Sequence, residues 1–573
     1  MQHRTPLPRS IFRIHRTRTL LMKHRSLLLL PFAIAFHAGA QNPLAIPAAL
    51  DLDTFDLVVD EHMHQFYPGL TTPTFGVNGV FLGPTLILHH GDTAHIRVIN
   101  QLEEFTTLHW HGMQVPGESD GGPPRMVMPG ETWHVKYKVK NPAGTFWYHP
   151  HPHEQTAEQV NMGLAGMIIV QDDAEAALDL PRTYGVDDIP VVVQDRSFDT
   201  NGDFIFGPLG DSLLVNGTPH PYVELPAQIV RLRVLNGSNT RTYQYGFEDG
   251  RSFSIIANDG GLLASPISTD RLRQSNGERS DILLDLAGME GDSLLLMSFA
   301  TELTPSMPGS DYGLWEPSAL SGIDFPVLRI RVTAQTSDPV TTIPTTLVAQ
   351  NPPLELDISR TRYKSFGGTG TVGTGMFTIN DLMFDIDVVN DTVWLGATEK
   401  WVILNGSDIA HPFHMHGGSF YVLNRDGMPP LPWETGAKDV ILVDMAEQVH
   451  LIMKFDELSN GWPFMYHCHN LMHEDMMMML QYVVEDNSTS VADPTSAEGV
   501  TVFPSPSFGL FTIQSDFALK EATVTDLMGR TVIRTTLNNS FQAELDASTW
   551  PTGPYVLELL GTDRSVRKVV VRQ

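Results

Sequence analysis

The stretch Tyr466-His467-Cys468-His469-Asn470-Leu471-Met472-His473-Glu474-Asp475-Met476-Met477-Met478-Met479 holds the only cysteine of the 573-residue chain. On a β-strand, alternate side chains point to opposite faces, so His467 and His469 share one face and Cys468 takes the other. Cys468 is then a few covalent bonds from two imidazoles while facing a different site. His473 lies five residues on, Met478 ten, and His411 stands upstream. Two histidines, a thiolate and a weak axial thioether are the set that holds a blue electron-transfer copper. Residues 476–479 are all Met. Met478 is chosen by its spacing from His473, with Met477 and Met479 as alternatives, because Met runs are also ordinary core filler.

Working outward, the other histidines fall into pairs. With 23 His in the chain, chance supplies about one His-x-His match. The sequence has six, at 62/64, 109/111, 149/151, 151/153, 414/416 and 467/469. Residues i and i+2 of a strand lie on one face about 6.5–7 Å apart, so each pair can reach two ions of one cluster. Four pairs have matching surroundings. His109/His111 and His414/His416 are each followed by Gly, and His149/His151 and His467/His469 are each preceded by aromatics. These four supply eight imidazoles. His62/His64 lacks such context and reads as the chance pair, and His153 as surplus.

The remaining composition points to an all-β chain of several domains. Apolar residues make up 42%, and Gly (47) and Pro (40) are plentiful, which favours short strands and turns. Runs of β-branched and aromatic residues occur at 51–60, 78–88, 93–99, 133–140 and 164–171. They recur at 189–195, 227–236, 251–256 and 279–286, then at 376–404, 419–424, 439–444 and 448–455. This texture predicts stacked sandwiches or barrels. Segments 335–346 and 486–498 read as linkers, and the boundary near 174–188 is soft.

Residues 1–40 carry seven Lys/Arg and no Asp/Glu, ending in an apolar run and Ala38-Gly39-Ala40. This reads as a secretory signal peptide, with Met22 as an alternative start. No other stretch is long and apolar enough to span a membrane as a helix. Without those residues the balance is 30 basic against 66 acidic. So acidic a body repels nucleic acid and anionic membrane. A lone thiol in an oxidising compartment needs protection, which a metal ion gives.

The blocks HWHG (109–112), GTFWYHPH (144–151), HPFHMHG (411–417) and HCHNLMHEDMMM (467–478) resemble, in order, the four copper motifs of the multicopper oxidases. VPGESDGGP (115–123) and MGLAGMIIV (162–170) extend the resemblance toward the bacterial copper-efflux branch. The resemblance implies three cupredoxin-like Greek-key β-sandwich domains, at 41–175, 176–336 and 337–487, with the copper cluster between the first and third. It implies four coppers per chain. His109 and His414 would bind the type 2 ion. His111, His149, His151, His416, His467 and His469 would bind the type 3 pair, and His411, Cys468, His473 and Met478 the type 1 ion. Asp120 and Glu474 match family acids that assist proton delivery. The expected reaction is one-electron oxidation of a small-molecule donor, with O2 reduced to water.

Residues 501–573 contain TVFPSPSFGLFTI and VTDLMGRTVIR, and resemble the C-terminal sorting domain of type IX secretion, a small β-sandwich joined here by a linker at 488–500. That implies the secretion machinery as a partner and a secreted or cell-surface protein, with the periplasm as the alternative; a monomer is expected. Between 345 and 385 the only methionines are Met376 and Met383, which departs from the Met-rich insert of cuprous oxidases and favours phenols or aromatic amines as donors. Met126, Met128 and Met428 keep Cu(I) as an alternative. A copper-free structural cupredoxin protein is the remote alternative, disfavoured by the complete ligand set, as is a copper nitrite reductase.

Overall fold

In the computed structural model, the described residues are 41–573 apart from 312, 315–317, 371–374, 487–499, 527–529 and 562–564. The expected signal peptide and nearly all of the 488–500 linker therefore lie outside them. The chain is all-β, built as sheets stacked in pairs. Alternation builds the core of the first unit, while strands such as Ile229–Asn236 are buried along their whole length. The strand Thr54–Tyr67 buries Phe55, Leu57 and Val59 and exposes the residues between, as a sheet with one covered face does.

The first pair joins a four-stranded sheet (Leu70–Val77, Thr54–Tyr67, Thr93–Asn100, Thr132–Lys138) to a five-stranded one ordered Ala49–Asp51, Thr85–His89, Gly166–Gln171, Gly144–His149, His109–His111. Trp110, Tyr148, Trp133 and Ile168 pack between them. A six-stranded and an eight-stranded sheet enclose the middle core around Leu232, Tyr243, Ile282 and Leu296. Asn42–Pro43 pairs with Pro221–Tyr222 of this middle unit. The third pair has two five-stranded sheets, one ordered Asp391–Trp394, Met479–Glu485, Phe464–Cys468, His411–Met415, Val440–Val443. Trp401, Phe413, Tyr466, Cys468 and Met478 share its core. A last sheet takes Val500–Phe503 to Ser565–Arg572. Among the described residues no helix is long and apolar enough to cross a membrane.

Two expected strands differ. Segment 78–88 is extended only over Thr85–His89, because Asn78 and Leu82 take positive φ (54° and 58°) and turn the chain. Segment 376–404 divides into Met376–Ile379, Asp391–Trp394 and Thr398–Asn405, with Met383, Ile386, Val388 and Val389 exposed in between. Segment 335–346 has neither strand nor helix. Its Val340 and Ile343 nonetheless pack against a buried cluster of the middle unit.

The sheets meet where the histidine pairs lie. In the first unit His109 is opposite His149, and in the third His414 is opposite His467. Of these four pairs only His109/His111 sits wholly inside a strand. The strands before His151, His416 and His469 end at His149, Met415 and Cys468. Past two of these strand ends the backbone is still paired: the His416 amide donates to the Met465 carbonyl at 2.9 Å and the His469 amide to the Pro412 carbonyl at 2.7 Å.

A short helix, Thr156–Met162, follows His151 and ties the units together. Its first amides, Thr156 and Ala157, donate to Asp475 of the third unit at 2.9 and 2.8 Å. Its last carbonyls, Val160 and Asn161, accept from the Arg196 guanidinium of the middle unit at 2.8 and 2.9 Å. A carboxylate at the N-terminus and a cation at the C-terminus each satisfy orphan backbone groups and oppose the helix dipole. Asp475→Ala is expected to cost the copper-free protein about 1 kcal/mol, read as a lower urea midpoint. An unchanged midpoint would show that the cross-domain cap contributes nothing.

Candidate metal centre

All eight paired imidazoles converge in one buried place. His416 Nε2 lies 3.2 Å from His467 Nε2, and His151 Nε2 lies 3.4 Å from the same atom. His111 Nδ1 lies 3.4 Å from His149 Nε2 and 3.2 Å from His469 Nε2. The His109 ring stacks on His416 at 3.7 Å, and His111 on His414 at 3.8 Å. Three sets of three ring nitrogens lie within 4.8 Å of one another, namely 109/111/149, 109/414/416 and 151/416/467.

The outward nitrogens explain why these rings point inward. A neutral imidazole donates from one nitrogen and keeps a lone pair on the other. His109 Nδ1–H donates to the Asp120 carbonyl at 3.0 Å and His149 Nδ1–H to the Pro150 carbonyl at 2.8 Å. His414 Nδ1–H donates to the Asp439 carbonyl at 2.8 Å and His467 Nδ1–H to the Cys468 carbonyl at 3.1 Å. His416 Nδ1–H donates to Asp120 Oδ2 at 2.8 Å. His111 is reversed: its Nε2–H donates to Asp439 Oδ1 at 3.0 Å, which leaves Nδ1 facing the centre.

Burial pushes His111, His149, His151, His414, His467 and His469 well below the usual histidine value, and neighbouring imidazoles add to the effect. His416 falls to about 4, chiefly through burial. These seven rings are thus neutral, and the inward Nε2 atoms of His109 and His414 have no hydrogen-bond partner. Buried lone pairs aimed at one another without protons between them fit metal cations and little else.

Cys468 faces the other way. Its Sγ lies 3.3 Å from His411 Nδ1 and 3.6 Å from His473 Nδ1. His411 Nε2–H is taken by Ser407 Oγ at 2.8 Å, and that hydroxyl donates onward to Asn405 Oδ1. This turns His411 Nδ1 toward the sulfur. The Phe377 ring closes over His473 at 4.5 Å and His411 at 5.0 Å. Burial pushes the Cys468 thiol up and His473 down to about 3. A dry site with two neutral imidazoles and a thiol suits a soft ion that displaces the thiol proton. Met478 is fully buried in the same core, its N–H donating to the His473 carbonyl at 2.9 Å and its carbonyl accepting from Cys468 N–H at 3.1 Å. Met479 packs elsewhere, with Met465 and Phe384.

Both acids expected from the sequence are at the eight-imidazole centre. Asp120 carries His416 on Oδ2 and lies 3.5 Å from His109. Burial pushes its carboxyl up, but the imidazoles of His416 and His109 that face it outweigh this and hold it far below the carboxylate range. Glu474 lies between His151 and His467, one oxygen 3.2 Å from each Nδ1. Burial and then neighbouring Asp475 push it well up. His62 and His64 lie outside these groups, and His64 packs edge-on to Phe66 at 4.5 Å. His153 packs on Phe384 at 5.5 Å.

Sequence reasoning missed Asp439, which touches His111 and His414, and Arg279, which pairs with Asp439 at 2.6 Å. The one signal was a charged Lys438-Asp439 pair heading the apolar strand Val440–Val443.

Comparison with known proteins agrees with this geometry. Residues 59–175 and 348–488 each match the multicopper oxidase family, and residues 501–572 match a secretion system C-terminal sorting domain. A cell division protein, FtsP, of Escherichia coli K12 is 34% identical over 462 residues, covering 78% of this chain and 93% of the relative. A multicopper oxidase of Staphylococcus aureus is 32% identical, covering 78% and 93%. Among solved structures, a laccase-like multicopper oxidase from Ochrobactrum sp., with oxidase activity towards lignin model compounds, superimposes with a TM-score of 0.69 at 33% identity, covering 77% of this chain and all of that one. The Aquifex aeolicus multicopper oxidase gives 0.69 at 31%, covering 78% and all of it. The chain belongs to the multicopper oxidase family and ends in a secretion sorting domain.

Proposed function

We propose that this chain is a laccase-like oxidase that takes single electrons from phenolic or aromatic amine donors at the Cys468 site. Four electrons and four protons convert O2 to two waters at the eight-imidazole centre. His411, Cys468, His473 and Met478 would hold a type 1 copper, and His109 and His414 a type 2 copper. His111, His149 and His469, with His151, His416 and His467, would hold a type 3 pair. Copper at these positions would supply one-electron transfer and the reduction of oxygen.

The observation that carries this reading is the place of Cys468. Its sulfur lies within 3.6 Å of His411 and His473, while the residues bonded to it on either side, His467 and His469, belong to the other centre. One backbone segment therefore joins the two sites covalently, and the Cys468 carbonyl also accepts from His467 Nδ1–H. The centre is buried, so protons need a path to it. Glu474 sits against two of the imidazoles and Asp120 against two others, which suits them to hold and move protons there.

A second reading, oxidation of Cu(I), draws on exposed methionines. Met376 and Met383 stand 64% and 42% exposed, and Met376 is next to Phe377 over His473. A third, a structural role without copper, draws on relatives named as cell division proteins.

The copper-loaded protein is expected to be blue and to consume O2 faster with a phenol than with Cu(I) in one buffer. Faster uptake with Cu(I) would favour the second reading, and a chain that binds no copper the third. Cys468→Ser should abolish the blue band and the uptake together; a blue Cys468→Ser protein would refute the site assignment. Glu474→Gln should slow oxygen reduction by roughly 10²-fold while keeping the blue band.

Stability should also follow pH in the copper-free chain. His416 and His473 titrate at about 4 and about 3 when folded and near about 6.5 when unfolded. Below the unfolded value the unfolded chain binds more protons, so stability falls as pH drops through this window. Each imidazole adds a slope of up to about 1.4 kcal/mol per pH unit. A copper-free unfolding midpoint that stays flat from pH 7 to 4 would contradict the neutral, buried state of these rings.

A further inference from the structure

We infer that Asp439, gripped by Arg279 of the middle unit, is the positioning residue that sets which nitrogen His111 presents to the eight-imidazole centre. The inference rests on the reading of that centre as a copper site. Asp439 holds two imidazoles from different parts of the chain. Its Oδ1 accepts His111 Nε2–H at 3.0 Å, and its carbonyl accepts His414 Nδ1–H at 2.8 Å. The two rings stack 9° from parallel. His111 is thereby the ring that turns Nδ1 inward, toward His149 and His469, while His109 and His414 keep Nε2 inward.

Arg279 fixes the carboxylate itself. Its Nη1 and Nη2 each donate to one Asp439 oxygen at 2.6 Å. Its remaining N–H groups donate to the carbonyls of Thr145 (3.1 Å), Gly277 (3.1 Å) and Asp259 (2.8 Å). All five guanidinium donors are thus used, and a planar fork on a carboxylate permits one orientation. With both oxygens engaged by Arg279, Asp439 is a holder of ligands rather than a ligand.

The surroundings leave room for this pair and nothing larger. Gly112, directly after His111, has φ +82°, and a Cβ there would overlap both the Asp439 carboxylate and the Arg279 guanidinium. Gly277 lies so close that its Cβ would sit 3.1 Å from the His469 ring. Asn276 Nδ2 donates to the His469 carbonyl. The turn 275–278 of the middle unit thus forms a wall of the centre, and Arg279, heading the strand Arg279–Asp285 that follows, is how it acts on a ligand.

The test is copper retention in Asp439→Asn. An amide cannot accept from both guanidinium arms and from His111, so the ring loses its fixed orientation. Cluster copper is expected to leave to a chelator at least about tenfold more readily, while the blue band of the Cys468 site persists. Because a lone buried Arg279 could destabilise the chain, the double variant Arg279→Gln/Asp439→Asn is measured alongside. It should recover the copper-free unfolding midpoint yet still lose cluster copper. Wild-type retention in either folded variant, or loss of the blue band in step with cluster copper, would overturn the inference. A wild-type chain that takes up no copper would instead overturn the metal reading beneath it.

Discussion

Eight imidazoles can be buried together only if each is neutral and each has somewhere outside the cluster to place its one proton. That requirement organises the molecule. A charged imidazole at this depth would pay a desolvation penalty with no counter-ion for most of the rings, and a neutral one with no acceptor would leave a buried N–H unpaired. Carbonyls of Asp120, Pro150, Cys468 and Asp439 and the carboxylates of Asp120 and Asp439 meet most of the need. Once the outward nitrogens are bound, the inward lone pairs are committed, and the chain has a metal centre before any metal arrives.

Meeting the requirement takes all three units. Asp120 from the first serves His416 of the third, and Asp439 from the third serves His111 of the first. Arg279 and Asn276 of the middle unit hold Asp439 and the strand end at His469. The helix after His151 is capped by Asp475 and Arg196, one from each of the other units. The middle unit gives no imidazole to the centre, yet its contacts set the orientation of groups that do.

What was legible in the sequence follows from how the signals are encoded. The ligands repeat a short motif in four places, and Cys468 stands between two of them, so local spacing was enough. Strands such as 93–99, 229–236 and 448–454 were legible because short β-branched and aromatic runs bounded by turn residues are a local signal. The supports were not. Asp439 is 328 residues from His111 and 160 from Arg279, and one acid among 66 carries no mark of its partner. The break-up of 376–404 was hidden because exposed Val388 and Val389 read like strand interior. Asp120 and Glu474 were found only through the family resemblance of the blocks that hold them.

The helix Thr156–Met162 also bears on how the protein is made. Its N-terminal cap is Asp475, two residues past His473, so it is among the last parts of the oxidase body to be synthesised. Until His414 and the histidines after it follow, His109, His111, His149 and His151 lack their partner imidazoles, and until Asp475 follows the helix beside them has a bare positive end. A chain interrupted before His414 therefore holds half a centre, and one interrupted before Asp475 an uncapped helix. The joint marks the point at which the oxidase body can close: imidazoles first, helix cap last.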